Sequence, residues 1–171
     1  MDELPSVSVI IPAFNEELAI GKVLGDIPRF VQQVLVVDNG STDATAAVAR
    51  QMGATVICEE RRGYGQACLS GIARLEGADI VVFLDGDYSD HPDEMPSLIE
   101  PIVAGRADMV IGSRTLGQRE RGALLPQARF GNWLSTRLIR LFFAVSFTDL
   151  GPFRAIRYDA LARLHMRDRD F

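Results

Sequence analysis

Asp79-Ile-Val-Val-Phe-Leu-Asp-Gly-Asp87 is the stretch whose reading decides the fold. Residues 79–84 form a short apolar run rich in β-branched and aromatic side chains, which predicts a buried strand. The run does not alternate with polar residues, so the strand belongs in a sheet covered on both faces. Two carboxylates around a glycine follow at its end.

Working outward, four more segments read as strands: 5–12, 31–38, 54–58 and 108–112. Helical segments separate them. The first is expected to start at Asn15 as N-cap, carry Glu16 and Glu17 in its first turn, and run to about Ile27. The others are Ala44–Met52, Tyr64–Leu75 and Pro92–Val103, the last with proline in its first turn. Strand and helix alternating in this way predict an α/β fold, a Rossmann-like three-layer sandwich with a mostly parallel central sheet. After residue 112 the pattern changes. Residues 113–126 read as a polar loop, 127–145 as a helix with Arg137 and Arg140 beside an apolar face, 147–154 as strand or loop, and 158–164 as a short helix. The whole chain, 1–171, reads as one domain with parts 1–112 and 113–171.

The 171 residues are 47% hydrophobic and 24% charged, an ordinary globular balance that excludes wholesale disorder and collagen. No apolar run approaches the ~20 residues of a membrane span. The acidic start, Met-Asp-Glu-Leu-Pro, is unlike a signal peptide, and Cys58 and Cys68 are expected to be reduced thiols. These features point to a cytoplasmic protein. The net charge of −5 is unevenly spread: residues 1–105 carry 17 acidic and 6 basic side chains, residues 106–171 carry 6 and 12. The acidic first part argues against nucleic acid as a partner. The basic second part suits a phosphate-bearing partner or an anionic membrane face, and equally a solvated surface.

In parallel sheets ligands sit beyond the carboxyl ends of the strands, so the residues just after each strand are the candidates. Asp85-Gly86-Asp87 places two hard oxygen donors where Gly86 allows a ligand close to the backbone, a pattern suited to Mg²⁺ or Mn²⁺ held jointly with substrate phosphates. A turn whose acids merely cap the next helix is the plainer alternative. Asp38-Asn-Gly-Ser41 offers an acceptor for a base N–H or a ribose hydroxyl, and Pro12-Ala-Phe-Asn-Glu16 lies at a third strand end. Together they predict a pocket.

The motifs Val9-Ile-Ile-Pro-Ala-Phe-Asn-Glu16, Val36-Val-Asp-Asn-Gly-Ser-Thr-Asp43, Phe83-Leu-Asp-Gly-Asp87 and Ile111-Gly-Ser-Arg114 occur in the order found in family 2 glycosyltransferases of the GT-A fold, which this chain resembles over nearly its whole length. Arg129-Phe-Gly-Asn-Trp133 and Thr148-Asp-Leu-Gly-Pro-Phe-Arg154 resemble the subgroup of dolichyl-phosphate mannose and glucose synthases and their polyprenyl-phosphate relatives. The resemblance implies an inverting, metal-dependent hexosyltransferase using UDP-glucose or GDP-mannose as the donor type. The expected acceptor is a polyprenyl phosphate at the cytoplasmic face of a membrane. It implies that Pro12, Phe14, Asn15 and Glu16 line the nucleotide pocket, that Asp38 contacts base or ribose with Ser41 nearby, and that Gly63-Tyr-Gly65 and Gln66 form a loop beside the base. Asp85, Gly86 and Asp87 become the DxD motif, its acids holding ribose and metal, and Arg114 and Arg129 contact phosphates. Asp149 is a candidate general base for a hydroxyl acceptor, or an acid paired with Arg154. This sequence departs from the family at Asn39, where aspartate is common, at Ser89, where the synthases have glutamine, and at Tyr64, where relatives often have lysine. Two other readings stay open: a nucleotide-sugar-binding module without activity, and a haloacid-dehalogenase-type phosphatase with Asp85 as nucleophile. The latter wants a downstream lysine, and the single lysine is Lys22.

Overall fold

The computed structural model describes residues 5–112 and 151–169, and a six-stranded sheet organises them. In chain order the elements are β1 (Val7–Ala13), α1 (Ile20–Gly25), β2 (Gln33–Asp38), α2 (Thr45–Gln51), β3 (Thr55–Cys58), α3 (Tyr64–Ile72), β4 (Ile80–Phe83), a 3₁₀ turn (Pro92–Glu94) leading into α4 (Met95–Val103), β5 (Met109–Ile111), β6 (Arg154–Arg157) and α5 (Tyr158–Arg163). The strand order is β3-β2-β1-β4-β6-β5. The β1–β2, β1–β4 and β2–β3 pairs are parallel, while β6 runs antiparallel to β4, with Ile80 opposite Arg157 and Phe83 opposite Arg154. Residues up to 110 and from 153 onward cluster as one compact unit. The sheet is α/β and mostly parallel, as the sequence predicts.

The apolar runs sort onto two faces by their two-residue period. Val7, Val9, Ile11 and Ala13 of β1 face one core with Ile20 and Val23 of α1 and Met95, Leu98 and Ile102 of α4. Ile10 faces the other, with Leu35, Val37, Val81, Phe83 and Ala67 and Cys68 of α3. Every residue of β1 and β4 is buried. Each fully buried Val, Leu or Ile contributes about 1.5–3 kcal/mol, so these two strands anchor the sheet. Gly71 allows α3 to lie against β1: a Cβ there would sit 2.5 Å from Ile10 Cγ2.

The first helix differs from expectation. It begins at Ile20 with no side-chain cap, and no acid lies in its first turn. Asn15 is not its N-cap. Asn15 has φ 57, and its Oδ1 accepts the Thr42 backbone N–H at 2.8 Å, so side chain and backbone are committed elsewhere. The N–H groups of Ala19 and Ile20 donate to the Glu16 carbonyl, at 3.0 and 2.8 Å, and this turn precedes the helix. Elsewhere the helices are shorter than the sequence suggests: α3 stops at Ile72, and Pro92–Glu94 is 3₁₀ before α4 begins. The helix expected over 127–145, and Trp133, Arg137 and Arg140 within it, lie outside the described residues. Among the described residues no helix is long and apolar enough to cross a membrane. Both cysteines are free thiols.

Candidate active site

Strands β1, β2 and β4 are neighbours, and their carboxyl ends deliver Pro12, Asp38 and Asp85 to one edge of the sheet. Hydrogen bonds sew the loops that follow β1 and β2 together. Asn15 N–H donates to Ser41 Oγ at 3.0 Å, Glu16 N–H to Thr45 Oγ1 at 2.7 Å and Glu17 N–H to Asp43 Oδ2 at 3.1 Å, while Ala44 N–H donates back to Glu17 Oε2 at 2.9 Å. Small polar side chains thus satisfy backbone donors that irregular chain would otherwise leave unpaired. The loop after β3 is held by Asn39. Its Nδ2 donates to the carbonyls of Glu59 and Arg61, at 3.2 and 2.7 Å, and its Oδ1 accepts Gly63 N–H at 2.9 Å. An aspartate, acceptor only, could not make the first two bonds.

A cleft of about 410 Å³ opens between these loops, lined among others by Phe14, Glu16, Arg62, Tyr64, Asp85 and Asp87. That volume is in the range of sites for small organic ligands. Two features mark it. The Arg62 guanidinium stacks on Phe14, 3.8 Å from the ring centroid, with Nη2 donating to the Gly40 carbonyl at 3.3 Å. The Asp85 and Asp87 carboxylates share the same lining. Tyr64 Oη, in the first turn of α3, donates to Asp85 Oδ1 at 3.2 Å. Burial, then the charge of Asp85, pushes the Tyr64 phenol far above its ordinary value, so it stays protonated and acts as donor. Glu16 is also held above the ordinary glutamate value, by burial first and then by the charges of Asp87, Asp43 and Asp85.

This concentration of negative charge is the chemistry a hard divalent cation recognises. The donor set fits Mg²⁺ or Mn²⁺: Asp85 and Asp87 offer carboxylate oxygens, and a Cβ on Gly86 would already touch Ala13 Cβ and Glu16 Cγ at 3.4 Å. Among the described residues no third His, Cys, Asp or Glu completes a protein cage. That pattern suits an ion whose remaining positions are filled by water and phosphate oxygens.

The residues singled out from sequence fall into three groups. Pro12, Phe14, Glu16, Asp85, Gly86 and Asp87 line the cleft. Asn15, Ser41, Asp38, Gly65 and Gln66 are not among its lining residues. Asp38 is 9% exposed, with Oδ1 accepting Ser41 N–H at 3.1 Å. Ser41 Oγ is occupied by Asn15 N–H, Gly65 is buried in α3, and Gln66 Nε2 donates to Glu59 Oε2 at 3.0 Å. Arg114, Arg129 and Asp149 lie outside the described residues. Asn39 and Tyr64, which lie in segments already singled out, also line it, and the cleft adds Arg62, which neither the strand ends nor the resemblance select, although Arg61-Arg62-Gly63 is a visible basic signal. His91 is the residue entering the 3₁₀ turn, and Cys68 packs in the core with its thiol pushed up to about 11 by burial.

Comparison with known proteins agrees with this geometry. An uncharacterized glycosyltransferase of Mycobacterium tuberculosis is 36% identical over 165 residues, 96% of this chain and 73% of the relative. A low-salt glycan biosynthesis hexosyltransferase of Haloferax volcanii is 32% identical over 154 residues, 86% of this chain and 37% of the relative. Among solved structures, glucosyl-3-phosphoglycerate synthase of Mycobacterium tuberculosis, in complex with Mn²⁺, UDP-glucose and phosphoglyceric acid, superposes with a TM-score of 0.72 and 28% identity. That match covers 92% of this chain and 58% of the synthase, so the chain spans little over half of the solved neighbour. The model of glycosyl transferase family 2 matches residues 8–164, and the chain belongs to that family.

Proposed function

We propose that this chain is the donor-binding part of an inverting, metal-dependent hexosyltransferase that moves a hexose from a nucleoside-diphosphate sugar to a polyprenyl phosphate. The observation that carries the reading is the cleft itself. One cleft combines an aromatic side chain stacked on Arg62 with the paired acids Asp85 and Asp87, the two kinds of group suited to the base and the metal-binding diphosphate of a nucleoside diphosphate. The solved synthase, which holds UDP-glucose with Mn²⁺, supports the same assignment.

In this reading the nucleoside enters base first. With its Oδ1 fixed by Ser41, the Asp38 carboxylate has one defined orientation, and Oδ2 accepts a base or ribose donor. Asp85 and Asp87 hold Mg²⁺ or Mn²⁺, which when bound supplies positive charge against the diphosphate leaving group. Tyr64 keeps Asp85 in one rotamer. Glu16, next to both acids, adds to the negative field that selects a cation over a bare phosphate. Arg114 and Arg129 take the phosphates of donor or acceptor, the electrostatic stabilisation expected to dominate such a displacement. The acceptor phosphate is already anionic and needs no strong general base; for a hydroxyl acceptor Asp149 would take that role. The positive balance of residues 106–171 favours a phosphate-bearing acceptor at a cytoplasmic membrane face.

The test is release of nucleoside diphosphate from UDP-glucose and GDP-mannose, with and without Mn²⁺ and with polyprenyl phosphate added. Metal-dependent release stimulated by the lipid phosphate is the expected result. Release stimulated instead by phosphoglyceric acid would move the acceptor to the soluble class. Absence of release with either, despite nucleotide binding, would favour a module that binds without catalysis.

A further inference from the structure

The residue after the DxD motif carries an unusual backbone. Tyr88 has φ 63, in the left-handed region that β-carbon sterics make costly for any residue but glycine. Such strain persists where surrounding contacts hold it, and it concentrates at functional sites. The contact here is specific. Tyr88 Oη donates to Asp26 Oδ2 at 2.5 Å, across 62 positions of sequence. Asp26 is the C-cap of α1, its own N–H bound to the carbonyls of Lys22 and Val23 at 3.2 and 3.3 Å, and α1 is fixed to the core by Ile20 and Val23. Lys22 Nζ stands 6.0 Å from the centroid of the Tyr88 ring. On the other side, Asp87 Oδ1 accepts Ser89 N–H at 2.9 Å, a turn whose closure spans Tyr88. The dihedral of Tyr88 therefore sets where the Asp87 carboxylate stands. Tyr88 itself is 39% exposed and is not among the cleft-lining residues, so core packing does not account for its conformation.

We propose that Tyr88 and Asp26 form a clasp between α1 and the DxD turn that positions Asp87 for metal-dependent donor binding. The inference rests on the assignment of Asp87 made above. The clasp trades local backbone strain for a fixed carboxylate, and its two partners act through Asp87 without touching the donor.

The experiment titrates UDP, with and without Mn²⁺, and UMP without metal, into wild type, Y88F, D26N, Y88A and Y88G. Y88F and D26N keep volume and ring, and each should weaken Mn²⁺-dependent UDP binding by about tenfold, the scale of one hydrogen bond to a charged group. UMP affinity should not change. Y88G, free to adopt a positive φ, should bind UDP with Mn²⁺ more tightly than Y88A, an order that a packing role for the ring would not produce. Wild-type affinity in both Y88F and D26N would overturn the clasp, as would Y88G binding no better than Y88A. Should Y88A fail to fold, Y88F and D26N still decide. Wild type that binds UDP equally with and without Mn²⁺ would overturn the assignment of Asp87, and the clasp with it; loss confined to the variants concerns the clasp alone.

Discussion

Asn39 shows how a single side chain shapes the site. Its amide gives two hydrogen bonds and takes one, joining β2 to the segment that carries Arg62 and Tyr64. Asn39→Asp would set a carboxylate against the carbonyls of Glu59 and Arg61. It should destabilise the protein by about 1–3 kcal/mol, the cost of leaving buried polar groups unpaired. Urea unfolding measures that loss, and an unchanged midpoint would contradict it. Glu16 makes a pH-dependent prediction. Its pKa is raised in the folded protein, so the folded state binds that proton more tightly than the unfolded chain, and stability falls as pH rises through the window above 4.5. Glu16→Gln should therefore raise the melting temperature slightly at neutral pH without divalent metal, and the gain should vanish well below pH 4.5, where glutamate is protonated in both states. Equal melting curves at both pH values would refute the cost of burying this charge among its acidic neighbours. From sequence, Asp85 and Asp87 were legible because two acids after an apolar strand have few other uses. The hydrogen bond from Tyr64 to Asp85 was not, because it joins positions 21 apart through the packing of α3.

Among the elements, α3 depends most on close approach. Alanine at position 71 would gain up to ~1 kcal/mol of helix propensity over glycine. Against that, its Cβ would meet three atoms of the buried Ile10 side chain, the nearest at 2.5 Å. Overpacking of this kind costs ~1–3 kcal/mol, so Gly71→Ala should lower stability, readable as a lower melting temperature. A rise would show that α3 shifts off β1 at little cost. Because Tyr64 opens this helix, the shift should also weaken nucleotide binding. The strands were readable from their apolar runs because burial on both faces leaves a continuous pattern. The start of α1 was misread because Asn15 has the chemistry of a cap, yet its side chain serves the loop after β2. Local propensity does not see a partner 27 residues away.

For the molecule as a whole, the order of the sheet brings separate strand ends together and so makes a site from short, individually weak motifs. The alternation of strands and helices was sufficient to locate that edge, since parallel sheets place ligands beyond the carboxyl ends of their strands. The antiparallel pairing of β6 with β4 was not legible, because Arg154–Arg157 is short and lacks a long apolar run. The uneven charge belongs to this scale too: the acidic first part contains the cleft, and carboxylates beside a diphosphate favour its binding with a cation between them. That is the central claim, and calorimetric titration of UDP into wild type and Asp87→Ala, each with and without Mn²⁺, tests it most directly. In wild type, Mn²⁺ should tighten UDP binding by at least about tenfold, or 1.4 kcal/mol. Asp87→Ala should lose that increment while keeping its UMP affinity and its melting temperature. UDP binding to wild type that is indifferent to Mn²⁺, or an Asp87→Ala variant that responds to the metal as wild type does, would contradict the account.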